Sequence, residues 1–401
     1  MILGIPFEFM LLALTLLGVI FFHQKSTYIA VVGALSVLCY KYLFNSNFSW
    51  SVHMFGSGVI GGSGTEHGEW KILLNLVGLL LGFSILARYF EDSKIANITI
   101  KYLPHNWKGA FFLLIIIFIL SSFLDNIAAA MIGGAMAHTL FKNKVHIGYV
   151  AAIIAASNAG GAGSVLGDTT TTMMWVQGVS AMKVLHAYVG SIVAMMFFGV
   201  FAAKKQSRYQ NIVLCSRSVV RAKIDFAKTF IVAQILVLTI VANYVWDFPA
   251  LGVWSGILIG GFFVSTPWKE VKSALPGSIF LLSLVYSASL MPVEKLPPAS
   301  WITALGLGMV SSLFDNIPLT KLCLDQGGYD WGILAYTVGY GGSMTWFGSS
   351  AGVALSNMYP EIKSLSTYLR EGWYVIVAYF LGFFVMLKVV GWNIRSINFG
   401  W

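Results

Sequence analysis

Hydrophobic residues in this chain come in runs of about twenty separated by short polar stretches, the length a helix needs to cross a bilayer core of about 30 Å. Such runs fall near 5–22, 27–44, 71–90, 180–202, 227–244, 250–266, 276–292 and 371–391. Two other apolar regions break the pattern. Residues 109–141 would make a helix of roughly 50 Å, too long for one crossing, and Asp125-Asn126 sits at their middle. The spacing therefore predicts a re-entrant hairpin, two half-helices with the polar pair at the tip. Residues 301–325 repeat the device around Asp315-Asn316.

The segments after each hairpin are also interrupted. In 147–177 the breaks are Gly160-Gly161-Ala162-Gly163-Ser164 and Gly167-Asp168, followed by threonines from Thr169 to Thr172. In 331–358 they are Gly339, Gly341-Gly342-Ser343, Thr345 and Gly348-Ser349-Ser350. Glycine frees the backbone at such points, so both segments read as spans unwound at the centre, with carbonyls and amides turned toward a ligand. Setting Gly160-Gly161 against Gly341-Gly342 also sets Gly167 against Gly348 and Asp168 against Ser349. Each half thus runs three spans, a hairpin, a broken span and a last span, giving about ten spans and two re-entrant hairpins in an all-α polytopic membrane protein.

Composition agrees: 57% of the 401 residues are hydrophobic and 10% charged, with a mean hydropathy of +0.78, values that exclude an ordinary soluble domain. The net charge of +9 calls for no nucleic acid, because Lys and Arg gather between the apolar runs as the positive-inside rule expects. Lys108, Lys142 and Lys144 flank the first hairpin and place both its ends in the cytoplasm. Lys204, Lys205, Arg208, Arg217, Arg221 and Lys223 do the same for a linker at 203–226. Counting outward puts the second hairpin on the opposite side, so 1–202 and 227–401 form two inverted repeats. Their scaffold spans would lie in 1–90 and 227–292, and their hairpins and broken helices in about 109–177 and 301–358. Such repeats, with broken helices meeting at the midplane, are the plan of secondary transporters.

Other chemistries find little support. Cys39, Cys215 and Cys323 are scattered and suggest neither a zinc site nor disulfides. Met1–Phe22 lacks a basic leader and reads as the first span. Gly61-Gly62-Ser63-Gly64 with His67 imitates a serine protease motif but lies in a polar loop. Val165-Leu166-Gly167-Asp168 lacks the first glycine of an aspartyl protease motif, and no HExxH occurs. No enzyme and no cofactor are expected.

FLDNIAAAMIGG, SNAGGAGSVLGDTTTTMMW, DNIPLT and GGSMTWFGSSAGVALSN resemble the signatures of NhaD-type sodium/proton antiporters, from about Leu73 to Asn357. These belong to a superfamily that also holds dicarboxylate/sodium symporters. The resemblance implies a homodimeric elevator transporter, with a scaffold and a mobile domain carrying both hairpins and both broken helices. It also implies a multi-pass protein of the bacterial inner (cytoplasmic) membrane.

The residue types fit that implication. An Asp at the bilayer centre costs roughly 2.5–3.5 kcal/mol, and two copies of the device suggest a function that needs both. Sodium and lithium are hard cations that take oxygen ligands. Asp125, Asn126, Asp168, Thr169 and Thr170 would form one site, with sodium at Asp125, Asn126 and Asp168. By pseudo-symmetry Asp315, Asn316, Thr345, Ser349 and Ser350 would form a second. A carboxylate that takes either a cation or a proton, but not both, turns binding into exchange when its proton affinity matches the working pH, a property set by burial and by neighbouring charge. The competing function is cation-coupled symport of a small organic anion such as a dicarboxylate. Two fixed carboxylates with no arginine near them argue against it.

Plainer roles stay open. Each Asp can cap a half-helix, each Asn can serve the hairpin turn, and Thr171 and Thr172 can bond back to their own helix. Lys321, five positions after Asn316, either pairs with Asp315 as a built-in cation or snorkels to the outer interface. Arg88, Glu91 and Asp92 read as a solvated interfacial cluster, and His138 as a packing histidine.

Overall fold

The computed structural model describes residues 6–22, 25–56, 68–95, 103–213 and 224–394, and all regular structure among them is helical. The Gly61–Gly64 stretch, His67, Cys215, Arg217, Arg221 and Lys223 lie outside the described residues. In chain order the helices are α1 (Phe7–Phe21), α2 (Ser26–Phe44), α3 (Trp50–Phe55), α4 (Glu69–Asp92), α5 (Trp107–Ser121), α6 (Asn126–Leu140), α7 (Ile147–Ala162), α8 (Thr169–Val176), α9 (Ala181–Leu185) and α10 (Ala187–Tyr209). The second half continues with α11 (Phe226–Trp246), α12 (Pro249–Gly261), α13 (Lys269–Ser289), α14 (Trp301–Ser311), α15 (Asn316–Gln326), α16 (Trp331–Gly341), α17 (Ser350–Met358), α18 (Leu365–Glu371) and α19 (Trp373–Val389). Among the described residues five helical segments are long and apolar enough to cross a membrane: α2, α4, α9–α10, α11 and α13. The pair α18–α19, bent by 61° between its helices, would be a sixth. The protein is therefore a multi-pass helical membrane protein.

Several boundaries differ from the expected ones. α10 runs on to Tyr209, so Lys204, Lys205 and Arg208 lie on a helix and not in a linker. There Lys205 Nζ reaches Glu371 Oε2 at 2.5 Å, and Lys204 sits over the Trp107 ring. α12 stops at Gly261, short of a full crossing, while α13 starts at Lys269 and carries Pro276 inside it.

Both predicted hairpin regions are helix–turn–helix pairs, α5–α6 and α14–α15. A Cβ added to Gly133 would fall 2.3 Å from Ile117 Cδ1, so the arms of the first lie side by side and touch where a side chain is missing. Both first arms are capped at their start: Asn106 Oδ1 accepts from Lys108 N at 3.0 Å, and Ser300 and Thr303 form a reciprocal capping box at the start of α14. In lipid an unpaired backbone group has no water to turn to, so such caps stabilise the arms.

Two groups of helices pack around the broken segments. α1, α2, α4, α11, α12 and α13 form one, and α5–α8, α10, α14–α17 and α19 the other. At the centre of the second group α7 and α16 lie against each other, buried on all sides from Gly148 to Ala162 and from Trp331 to Gly341. Apolar burial does little to join helices in lipid, so packing and polar contacts take over. Tyrosines supply many of these: Tyr149 donates to Ala110 O at 2.6 Å, Tyr340 to Val375 O at 3.0 Å, Tyr359 to Gly134 O at 2.8 Å and Tyr379 to Leu305 O at 2.8 Å. Tyr336, Tyr340 and Tyr379 stack with ring planes within 10° of parallel.

Candidate functional site

The hairpin tips and the breaks converge. Asp125 is the N-cap of α6, its Oδ2 accepting from Ile127 N at 3.2 Å. Asp315 is the N-cap of α15, its Oδ1 accepting from Ile317 N at 3.1 Å. The tips are tied to the broken helices by the same serine bond in both halves: Ser121 Oγ donates to Ser157 O at 2.5 Å and Ser311 Oγ to Val338 O at 2.8 Å. Capping is thus real, as one sequence reading allowed, and it leaves the second oxygen of each Asp for other partners.

Asp168 also stands at an N-cap position, before α8, yet its side chain makes no capping bond to that helix. The residue is 2% exposed, and its carboxylate is held from both tips at once. Asn126 Nδ2 donates to Oδ1 at 3.1 Å and Asn316 Nδ2 to Oδ2 at 3.3 Å. One carboxylate therefore joins both hairpin tips, and its bond to Asn316 spans 148 positions. The Thr170 hydroxyl is fully buried beside it, with no hydrogen bond of normal length among the described residues. Thr171 and Thr172 donate to the Asp168 carbonyl, both at 2.9 Å, so these two bond back as expected.

Sequence reasoning missed one member. Asn158, fully buried, accepts from Asn126 Nδ2 at 3.0 Å and donates to Ser343 Oγ at 3.0 Å, which ties the α7 break to the α16 break. The available signal was an amide just ahead of Gly160-Gly161 inside an apolar run. Gly339 matters through what it lacks: a Cβ there would sit 3.2 Å from Ala162 Cβ and 3.4 Å from Asp168 Oδ2.

The expected second site does not assemble as a copy of the first. Ser350 Oγ does reach Asp315 Oδ2, at 3.2 Å. Thr345 instead donates to Ser312 O and accepts from Gly348 N, and Ser349 Oγ accepts from Gly352 N at 3.3 Å as the cap of α17. Asn316 crosses to Asp168. Lys321 corrects both sequence readings: 1% exposed, it neither pairs with Asp315 nor snorkels outward. Its Nζ donates to Glu69 Oε1 at 2.8 Å and to Asp325 Oδ1 at 2.6 Å, because α15 packs against α13 beside the start of α4. Arg88 pairs with Glu91 and Asp92, and Lys228 with Asp92, a partly exposed ionic cluster as expected. His138 is exposed, with its ring edge-on to Tyr359.

A cavity of about 360 Å³ opens between α4, α13 and the first hairpin, with Asp125, Asp168 and Thr169 in its wall. Asp315 is not part of it. A small cation in this cavity would meet two carboxylates and a threonine hydroxyl, with no Lys, Arg or His in the wall.

No family model matches the chain. It is 26% identical over 284 residues to sodium/proton antiporter 1 of Arabidopsis thaliana, a match covering 60% of this chain and 49% of that protein. It is 24% identical to sodium/proton antiporter 2 of the same plant, over 60% of this chain and 67% of the relative. The Na(+)/H(+) antiporter NhaD of Halomonas elongata is 25% identical over 56% of each chain. The matched stretch spans about half the length of the first of these relatives. Taken with the four motifs, these matches make the chain similar to sodium/proton antiporters, the NhaD type among them.

Proposed function

We propose that this protein exchanges sodium or lithium for protons across the membrane, with cation and proton competing for Asp125 and Asp168. The observation that carries the reading is the shared cavity wall: two carboxylates on different elements face one space free of basic residues. Asp168 is the better candidate for the switching group, because both hairpin tips hold it through amides and no capping bond of normal length ties it to its own helix. A cation drawn to that carboxylate competes with Asn126 and Asn316 for its oxygens. Occupancy would therefore change how the two halves hold each other, and a proton would change it differently. This supplies a physical link between binding and movement.

Within this reading the chain crosses the bacterial inner membrane about ten times, carries two re-entrant hairpins in inverted repeats, and works as an elevator within a homodimer. A carboxylate-bearing substrate fits the cavity poorly, which weighs against the anion symport alternative. The test is dissipation of a preset proton gradient in everted vesicles on adding sodium, lithium or potassium. Sodium or lithium should collapse the gradient with the native protein and fail to do so with Asp125→Asn or Asp168→Asn. A native protein that moves no protons for any of the three would sink the proposal, and a labelled dicarboxylate uptake screen would follow.

A further inference from the structure

The cavity beside Asp125 and Asp168 is built unlike a passage for a bare metal ion. At about 360 Å³ it has room for roughly twelve waters at about 30 Å³ each, and it falls within the ordinary range of small-molecule pockets. One wall is leucine and phenylalanine from α4, including Leu76, Leu79 and Phe83. The facing wall of α13 is mostly small: Ser273, Ala274, Gly277 and Ser278 precede Leu281, with nothing within 4 Å of a Cβ built on Gly277. The space thus exists because α13 offers small residues opposite large ones.

The polar atoms in the wall are nearly all acceptors. Ser84 donates to Leu81 O, Ser273 to Glu270 O and Ser278 to Ala274 O, each within its own helix, and Thr172 donates to Val165 O and Asp168 O. Their protons are committed, and the two carboxylates have none to give when ionised. The Thr169 hydroxyl is left to donate, so a ligand rich in acceptors would find a single donor here. A ligand with an apolar body and a donor-rich cationic end would match wall and floor together. We propose that this cavity binds an amphipathic organic monocation, its guanidinium or ammonium group at Asp125 and Asp168 and its apolar body between α4 and α13. The planar fork of a guanidinium suits paired carboxylate oxygens best. The proposal takes from the exchange reading only that these two residues are ionisable and reachable from the cavity.

The test is direct binding to the full chain in lipid nanodiscs, without transport. The probe is 2-naphthylmethylguanidinium, and the control is 2-naphthylmethylurea, which has the same shape and no charge. The guanidinium should bind saturably at one site per protomer, the urea should not, and sodium chloride should displace the guanidinium. Asp168→Asn and the cavity-filling Gly277→Phe should each weaken binding at least tenfold, with the thermal midpoint of Gly277→Phe confirming that it folds. Ala274→Leu serves if it does not. Absent saturable binding, equal binding of the urea, or native affinity in a folded cavity-filled variant would overturn the proposal. Saturable binding that sodium fails to displace would uphold the cavity assignment while removing sodium from the exchange reading.

Discussion

After the glycine break the first half has Asp168 and the second has Ser349, and the local frames are alike. A Cβ built on Gly161 falls 3.1 Å from Asp168 Cβ, and one built on Gly342 falls 3.1 Å from Ser349 Cβ. The backbone is repeated and the side chain is not. Ser349 spends its oxygen capping α17, whereas Asp168 leaves α8 uncapped and accepts amides from both hairpin tips. Asn158 similarly corresponds to Gly339, whose bare Cα lies against the Asp168 carboxylate. The second half keeps Asp315 with Ser350 and in addition serves the centre at Asp168, to which it supplies Asn316, Ser343 and space.

The largest effect that could break this comparison is on Asp168 itself. Asp168→Asn should abolish sodium-dependent proton movement to background, because the group that both tips hold would no longer bind either ion as a carboxylate. Exchange retained within tenfold of native would mean that Asp168 is a strut and that the centre lies elsewhere.

Lys321 tests the second half from its other end. It is buried between Glu69 of α4 and Asp325 of its own helix, and removing one member of such a cluster leaves carboxylates without a counterion. Lys321→Met should destabilise the protein by about 3–5 kcal/mol, seen as a lower thermal unfolding midpoint in detergent. The triple variant Glu69→Gln, Lys321→Met, Asp325→Asn should recover most of that loss. A single variant as stable as the native protein would show that the cluster is solvated in the membrane.

Asp315 should matter less than Asp125. It is absent from the cavity wall and is engaged by Ile317 N and Ser350 Oγ. Asp315→Asn keeps the cap acceptor, so exchange should fall by no more than about tenfold. Loss as complete as in Asp168→Asn would restore a second ion site of equal weight.

The helix–turn–helix pairs and the breaks were legible because their signals are local: a polar pair in an over-long apolar run and glycines that interrupt a span. Asp125, Asn126, Asp168 and Thr169, grouped on those signals, lie near one another in the fold. Which tip meets which break is another matter, since Asn316 and Asp168 touch only because α7 packs on α16. Asn158 escaped notice because its helix is buried all round. Such a helix has no polar face and hence no period against which a polar residue stands out. Of the two partners of Lys321, Asp325 lies only four positions on, but Glu69 lies 252 residues away and was out of reach.

The smallest expected effect bears on the Asp168–Ser349 pair most directly. If Ser349 is only a cap, Ser349→Ala removes the acceptor for Gly352 N and should cost about 1 kcal/mol of stability. Exchange should fall less than twofold, with its pH profile unmoved. Ser349→Asp keeps an acceptor at that position, so it should hold the stability that alanine loses if capping is the whole of its role. The carboxylate it adds would lie beside the second break, outside the cavity wall. A shift in the pH profile of the alanine variant would mean that Ser349 feels the titrating centre, and that the two breaks share the chemistry as well as the backbone.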